Sequence, residues 1–296
     1  MKFSLVKKIL VLSLVTFVLT EILIRTLNLT NDIPNRKIDI NGLQNYILDQ
    51  KGIYRDNNWV VNDDGFLGLN DKKFKNQILI IGDSMIENIM NPIECNQGYL
   101  IKENLDNSYG VFEIGRSGIT LIEAFQFEKN YRKIVEPSVS LIYVNKGDII
   151  ESISNISKLS DRLQIDVDNK EIQEVKIKFP LLKKILYNFK TLYFLYIRGF
   201  FQIDFKTKSN IIEEKSKNQN LINKFIEIIN FNYDLSKVIL VTDINNLNLI
   251  NSLKKIKVKK IITFNPDKNW YVKNDGHWNC FGHRMVSKKI IDYFNE

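Results

Sequence analysis

The sequence predicts an α/β protein built on a doubly wound parallel sheet, and three observations support that prediction. Short runs of branched aliphatic residues are each followed by a helical pattern, which is the alternation typical of parallel sheets. The run at 78–81 is apolar at every position, as expected of a strand covered on both faces. The chain has 296 residues, of which 44% are hydrophobic, so it is long enough for one large core and an added subdomain.

The other elements follow the same rhythm along the chain. Further strands are predicted at 111–114, 139–144, 238–242 and 261–264, and helices after the first strand and at 121–133, 246–254 and 280–294. The interval 151–235 is too long for one crossover and is predicted to be a helical insertion. Its segment 179–201 is rich in Leu, Tyr and Phe. We expect a helix pair packed on the sheet there; a cap lining a pocket, or a patch touching a membrane, stays open as the alternative.

The first residues predict a membrane anchor. Three lysines precede an apolar run at 9–19, and Glu21 and Arg25 follow it. Positive charge before the run keeps the amino end in the cytoplasm, so the rest of the chain is exported. The run also has the length of a signal-peptide core, but no small-x-small cleavage site follows it, which favours an uncleaved anchor. We therefore predict a signal anchor at 1–25, a loop-rich extension at 26–75 and the main domain at 76–296.

Composition argues against several kinds of site. Two histidines and two cysteines without Cys-x-x-Cys spacing lead us to expect no metal site and no cofactor. The net charge of +8 comes from scattered basic residues, which favours a solvated surface over a nucleic-acid partner. Cys95 and Cys280 are expected to be buried free thiols, and export to an oxidising compartment leaves a disulfide open as the alternative.

Polar motifs follow the predicted strands and meet at one edge of the sheet. The first strand leads into Gly82-Asp83-Ser84, and the second into Gly115-Arg116-Ser117-Gly118. Asp275 and His277 precede the last helix and so arrive at the same edge, where ligands bind in open α/β sheets. A serine hydroxyl becomes a nucleophile when a neutral imidazole takes its proton and a carboxylate orients that imidazole. We therefore predict Ser84 as the nucleophile, His277 as the base and Asp275 as the orienting carboxylate.

The oxyanion that forms when a serine attacks a carbonyl needs preorganised donors. The backbone N–H groups of Ser84 and Gly118 are the candidates, because a glycine lets the backbone approach closely. Arg116, in the same turn as Gly118, is expected to be solvated. His283 falls inside the last predicted helix and is expected to be structural.

The motifs Gly82-Asp83-Ser84, Gly118 in RSGIT, and DGHWNCFGH resemble those of the SGNH (GDSL-type) hydrolases, over about 76–150 and 236–296. The resemblance implies a three-layer α/β/α fold of the SGNH/flavodoxin-like kind, in which a serine and a carboxyl-terminal histidine cleave or transfer ester-linked acyl groups. It gives Ser84, His277, Asp275 and Gly118 the roles named above. The anchor resembles that of exported bacterial members associated with envelope polysaccharides, which implies an acylated glycan or another ester as substrate.

Two departures from the family pattern bear on activity. The family has Gly-x-Asn-Asp after the third strand, with the Asn donating to the oxyanion, whereas this chain has Asn145-Lys146-Gly147-Asp148. We expect Asn145 to substitute as the third donor. The family's Asp commonly lies three residues before the His, where this chain has Asn274. The sequence thus predicts a membrane-anchored, exported serine esterase or O-acyltransferase, and the missing Asn motivates the alternative, a non-catalytic glycan-binding or assembly protein.

Overall fold

The computed structural model describes residues 2–72, 74–105, 108–203, 215–245 and 247–296, and the side chains of 2–3 and 215–217 lie outside the description. The first part of the chain contains α1 (Lys2–Thr26), β1 (Arg36–Ile38), β2 (Gln44–Tyr46), β3 (Lys51–Tyr54) and β4 (Asn57–Val60). The next contains β5 (Gln77–Gly82), α2 (Ser84–Glu87), α3 (Gln97–Asn104), β6 (Gly110–Gly115), α4 (Leu121–Val135), β7 (Val139–Val144) and α5 (Asp148–Ser152). The last contains β8 (Gln164–Asp166), β9 (Glu171–Gln173), α6 (Pro180–Asn188), α7 (Lys190–Ile197), α8 (Lys215–Asn232), β10 (Val238–Asp243), α9 (Leu247–Leu253), β11 (Lys260–Phe264) and α10 (Cys280–Asn295).

The central sheet has five parallel strands in the order β11-β10-β7-β5-β6. The predicted doubly wound parallel sheet is therefore confirmed. The chain enters at β5, pairs β6 on one side and then builds β7, β10 and β11 on the other, so the strand order reverses beside β5. In open α/β sheets, ligands bind beyond the carboxyl ends of the strands at this reversal.

Helices cover both faces of the sheet and make three layers. Along β5, Leu79 and Ile81 face the core under α4 and α8, while Ile78 and Ile80 face the core under α3 and α10. All four side chains are fully buried. Burial of each such side chain contributes about 1.5–3 kcal/mol, which explains why the strand is apolar at every position.

The extension contains two short hairpins, β1–β2 and β3–β4. Trp59 and Tyr46 form a small cluster of their own, while Leu43 and Phe66 join the main core. The extension is therefore packed onto the main domain.

The interval predicted as a helical insertion also contains the hairpin β8–β9. Its last helix, α8, buries Phe225 and Ile229 completely in the main core and so acts as an ordinary crossover helix. The expectation that the helix pair at 179–201 packs on the sheet is wrong. Helix α7 packs against α1 and α6 against α7, and neither supplies a residue to the clusters that cover the sheet.

Helix α1 contains one candidate membrane span among the described residues, Ser4–Thr26, which has a mean hydropathy of 2.1 and is 6% buried. Its length and composition suit a bilayer, and a signal sequence has the same features. The predicted start of the ninth helix, residue 246, lies outside the described residues, and α9 begins at Leu247.

Cys95 and Cys280 form a disulfide with a Cα–Cα distance of 5.1 Å. The expectation of two free thiols is therefore wrong. The physical reason is that α3 and α10 pack side by side on the same face of the sheet, which brings the residues before α3 and at the start of α10 within bonding range.

Candidate active site

Ser84 lies at the turn from β5 into α2, at the carboxyl edge of the sheet. It is the first residue of a four-residue helix whose N-cap is Asp83. The Asp83 side chain accepts a hydrogen bond from the N–H of Met85 at 3.0 Å, so the carboxylate holds the turn. Gly82 precedes the turn because a Cβ there would collide with the side chains of Ile86 and Tyr143. The run of strand, turn and short helix thus fixes the position of the serine.

The structure brings the three predicted catalytic side chains together. His277 Nε2 lies 2.9 Å from Ser84 Oγ, although the two residues are 193 positions apart. The other ring nitrogen, Nδ1, is hydrogen-bonded to Asp275 Oδ1. With Nδ1 carrying the proton, Nε2 is free to accept the serine proton, which is the arrangement that general-base activation requires.

Asp275 is held on both of its oxygens. Oδ2 pairs with the guanidinium of Arg55 at 2.9 Å, and Oδ1 also accepts the backbone N–H of His277 at 3.2 Å. Burial raises the pKa of Asp275, but the hydrogen bonds from His277 and the charges of His277 and Arg55 outweigh it, so the net pKa is lowered. The carboxylate therefore stays ionised and keeps the imidazole oriented.

The loop that carries Asp275 and His277 is pinned at both ends. Val272 donates its N–H to the carbonyl of His277 at 2.9 Å. Asn279 caps α10 by accepting the N–H of Gly282 at 3.0 Å. Asn274, at the position where the family has its Asp, has a φ of +59° and precedes the turn. Asn tolerates this left-handed conformation better than most residues, so its presence has a backbone reason.

Gly118 lines the same cleft and has a φ of +77°, which favours glycine. Asn145, the predicted third oxyanion donor, donates its side-chain N–H to Asp83 Oδ2 at 2.7 Å. Its backbone N–H donates to Asp148 Oδ2 at 2.6 Å. The structure thus commits Asn145 to holding the partly buried carboxylate of Asp83 and the buried carboxylate of Asp148, which competes with the predicted oxyanion role.

Asp83 and Asp148 form an acidic pair that lines the same cleft as Ser84. Burial raises the pKa of Asp148 well above its ordinary value, and the charge of Asp83 adds to the rise. Burial also raises the pKa of Asp83, against the opposing effects of its hydrogen bonds and of the charges on His277 and Arg162. Both carboxyls therefore bind protons more readily than a solvated Asp does.

Arg162 reaches the cleft from the loop before β8. A Cβ built on Gly118 would lie 3.1 Å from the guanidinium carbon of Arg162, so the two residues are in contact range. The guanidinium also pairs with Glu151.

The cleft has a volume of about 490 Å³ and is lined by Asp83, Ser84, Ser117, Gly118, Asn145, Gly147, Asp148, Glu151, Arg162 and His277. This size suits a small-molecule or polymer-segment site.

Arg116 is fully buried, so the expectation that it is solvated is wrong. Its guanidinium pairs with the equally buried Glu123 at 2.5 Å and donates to the carbonyl of Ser117 at 3.1 Å. Arg116 therefore fixes the turn that carries Gly118.

Within the described residues, no group of three or more His, Cys, Asp or Glu side chains could hold a metal ion.

The sequence matches no protein-family profile and no curated protein. Similar solved structures include a carbohydrate esterase family 2 enzyme with a carbohydrate binding domain from Corynascus thermopiles (Myceliophthora fergusii), at 12% identity and a TM-score of 0.39 over 78% of this chain and 68% of that one. The psychrotrophic esterase EstA from Pseudoalteromonas has 11% identity and a TM-score of 0.39. The match covers 75% of this chain and 100% of that one. A Desulfitobacterium hafniense protein, described as a putative lipolytic protein of the G-D-S-L family, has 10% identity and a TM-score of 0.36. The match covers 74% of this chain and 99% of that one. All three structures have 12% identity or less to this chain and TM-scores below 0.4.

Proposed function

We propose that the chain is a membrane-anchored, exported serine esterase or O-acyltransferase of the SGNH type, acting on an ester-linked acyl group of an envelope glycan. The observation that carries the proposal is the alignment of Ser84 Oγ, His277 and ionised Asp275 at the carboxyl edge of the sheet. That alignment is the minimum needed to activate a serine. The glycan substrate rests on the family resemblance, supported by an open cleft whose lining residues are polar, charged or glycine.

The mechanism follows from the positions of the atoms. His277 Nε2 takes the proton of Ser84 as Oγ attacks the ester carbonyl, and the tetrahedral intermediate collapses when His277 returns that proton to the leaving alcohol. The acyl group then sits on Ser84 Oγ. Water resolves it in hydrolysis and a sugar hydroxyl resolves it in transfer, with His277 again taking the proton of the attacking hydroxyl.

The developing oxyanion has three sources of stabilisation in this account. The backbone N–H groups of Ser84 and Gly118 are two of them. The third is Arg162, whose guanidinium lies against Gly118, while Asn145 is engaged by Asp83. A cation at this position favours the negative charge that develops only in the transition state.

The proposed anchor is α1 itself. Its candidate span has enough residues to cross a bilayer, and the lysines at its amino end favour a cytoplasmic amino terminus. Near the other end of α1, Glu21 accepts the N–H of Lys190 in α7, and Arg25 donates to the carbonyl of Asn188 at the end of α6. Removal of α1 as a signal peptide would break these contacts, which supports an uncleaved anchor.

The experiment that tests the proposed function measures hydrolysis of an aryl acetate, and release of acetate from acetylated polysaccharide, by the full-length chain in detergent. Wild-type protein should turn over substrate, Ser84→Ala should fall to background, and Ser108→Ala should keep full activity because that exposed serine lies outside the cleft. Transfer is distinguished from hydrolysis by adding an acceptor glycan and following its mass.

The second candidate is a glycan-binding or assembly protein that keeps the scaffold without turnover. The observation that favours it is Gly147 at the position where the family has its oxyanion Asn. Binding of acetylated polysaccharide by wild type and Ser84→Ala alike, with no turnover by either, would support this candidate over the enzyme.

A further inference from the structure

Helices α6 and α7 and their flanking residues form an apolar surface that no described residue covers. We refer to residues 179–200 as the apolar hairpin. Its exposed large apolar side chains are Phe179, Leu181, Leu182, Ile185, Phe189, Ile197 and Phe200. Within α6, Leu181 and Ile185 are four residues apart and so lie on one face of the helix. Several large apolar side chains exposed within one short segment are typical of a surface that contacts a membrane or a partner.

The apolar hairpin is bonded to α1 by specific contacts. The carboxylate of Glu21 accepts the backbone N–H groups of Lys190 at 2.9 Å and Thr191 at 2.7 Å, so an α1 side chain satisfies the first turn of α7. The guanidinium of Arg25 donates to the carbonyl of Asn188 at 2.6 Å. These bonds fix the hairpin beside the carboxyl-terminal half of α1.

The depth of the hairpin follows from the geometry of α1. The span Ser4–Thr26 has 23 residues, or about 34 Å of helix, and the hydrocarbon core of a bilayer is about 30 Å thick. The ring of Phe189 packs on that of Phe17, with 5.9 Å between centroids. Phe17 lies about 13 Å along the axis before Thr26. When α1 crosses the membrane, the ring of Phe189 therefore lies at the level of acyl chains.

The polar groups of the hairpin also suit a bilayer surface. Lys184 and Arg198 are exposed, and their long side chains reach headgroups while their apolar stems stay in the lipid. Tyr187 and Tyr193 pack edge to face with 5.7 Å between centroids, and tyrosines are enriched at membrane interfaces. Lys190, which would be costly in lipid, is buried and paired with Asp32 at 2.5 Å.

We propose that the apolar hairpin is embedded in the non-cytoplasmic leaflet of the membrane that α1 crosses, with phospholipid acyl chains covering its exposed face. The inference rests on the proposed anchor and is independent of the proposed reaction. Its consequence is that the catalytic domain is held by two elements rather than one. A single helix would leave the domain free to swivel, whereas the helix and the hairpin together fix one orientation of the domain on the membrane.

The test uses the full-length chain in vesicles of phosphatidylcholine and phosphatidylglycerol. The only two cysteines are bonded to each other, so one introduced cysteine can be labelled alone with an environment-sensitive fluorophore. Leu181→Cys and Ile185→Cys report on the hairpin, and Leu14→Cys on α1 is the lipid reference. Phe231→Cys, at an exposed apolar residue of α8, is the matched control.

Spin-labelled lipid should quench the probes at 181 and 185 at least half as strongly as the probe at 14, and aqueous iodide should quench them several-fold less than the probe at 231. Iodide quenching equal to that at 231 would overturn the proposal. Shielding from both quenchers would also overturn it, because a second copy of the chain or another protein would then cover the face. Circular dichroism of each variant checks that it is folded.

Discussion

The side chains around the Ser84 hydroxyl decide the chemistry of the site. Ser84, Asp275 and His277 could be predicted, because strand ends and residue types point to one edge of the sheet. Arg55 and Arg162 could not, since each reaches the site from a loop whose position depends on tertiary packing. Asn145 was predicted to face the oxyanion, and no sequence pattern reveals its bond to Asp83.

Replacing Arg162 tests its role as an oxyanion donor. Arg162→Met should lower kcat for aryl-acetate hydrolysis by about 100-fold with a smaller change in KM, because such a donor acts in the transition state. Arg162→Lys keeps the positive charge but lacks the planar guanidinium, so its kcat should fall less than that of Arg162→Met. The measurement is steady-state kinetics on the full-length protein.

The control for Arg162 is its ion-pair partner. Glu151→Gln removes the partner carboxylate and leaves the guanidinium in the cleft, so kcat should stay within a few-fold of wild type. Equal losses in Arg162→Met and Glu151→Gln would show that the pair only shapes the loop, which would contradict the donor role.

His283 makes stability depend on pH. Burial, together with the charge of His277, lowers the pKa of His283 to about 3. Between pH 3 and the ordinary value of 6.5, the unfolded chain binds a proton at His283 that the folded chain does not. The stabilisation is therefore fully present above pH 6.5 and is lost as the pH falls, by up to about 1.4 kcal/mol per pH unit.

Urea unfolding of the wild type and of His283→Leu, compared at about pH 4 and about pH 6, measures this contribution. The unfolding free energy of the wild type should fall more steeply towards acid than that of the variant, because leucine does not titrate. Equal slopes in the two proteins would mean that His283 is protonated in the folded state over this range.

Among the helices and strands, those strands that are apolar at every position could be predicted from the sequence. Which element each helix packs against could not. The 78–81 run predicted β5 because a strand covered on both faces has no polar positions. The pattern at 179–201 predicted two helices but gave the wrong partner, since an apolar helix face does not specify what covers it. Packing of α3 on α10 likewise paired Cys95 with Cys280, which sequence separation alone cannot reveal.

The disulfide joins the turn before α3 to the first residue of α10 and should contribute to stability. Cys95→Ala with Cys280→Ala should lower the unfolding free energy by about 2–5 kcal/mol, because the cross-link restricts the unfolded chain. Denaturant unfolding of the double variant against wild type measures the loss. The double variant is used because a single variant would leave a reactive thiol. An unfolding midpoint equal to that of the wild type would argue against a stabilising disulfide.

In the molecule as a whole, segments outside the central sheet complete the site. The extension after α1 supplies Arg55, which holds Asp275, and the loop before β8 supplies Arg162. A fragment that begins at the predicted domain boundary, residue 76, would lack Arg55 altogether. The full-length chain is therefore the right object for measurements of activity.

Labelling with a fluorophosphonate tests whether Ser84 is an activated nucleophile. The full-length chain in detergent is treated with the probe, digested and analysed by mass spectrometry. We expect one adduct, on the peptide containing Ser84, which is absent from Ser84→Ala and forms about 100-fold more slowly in His277→Gln. No adduct on the folded wild type, or equally fast labelling of Ser84→Ala, would contradict it.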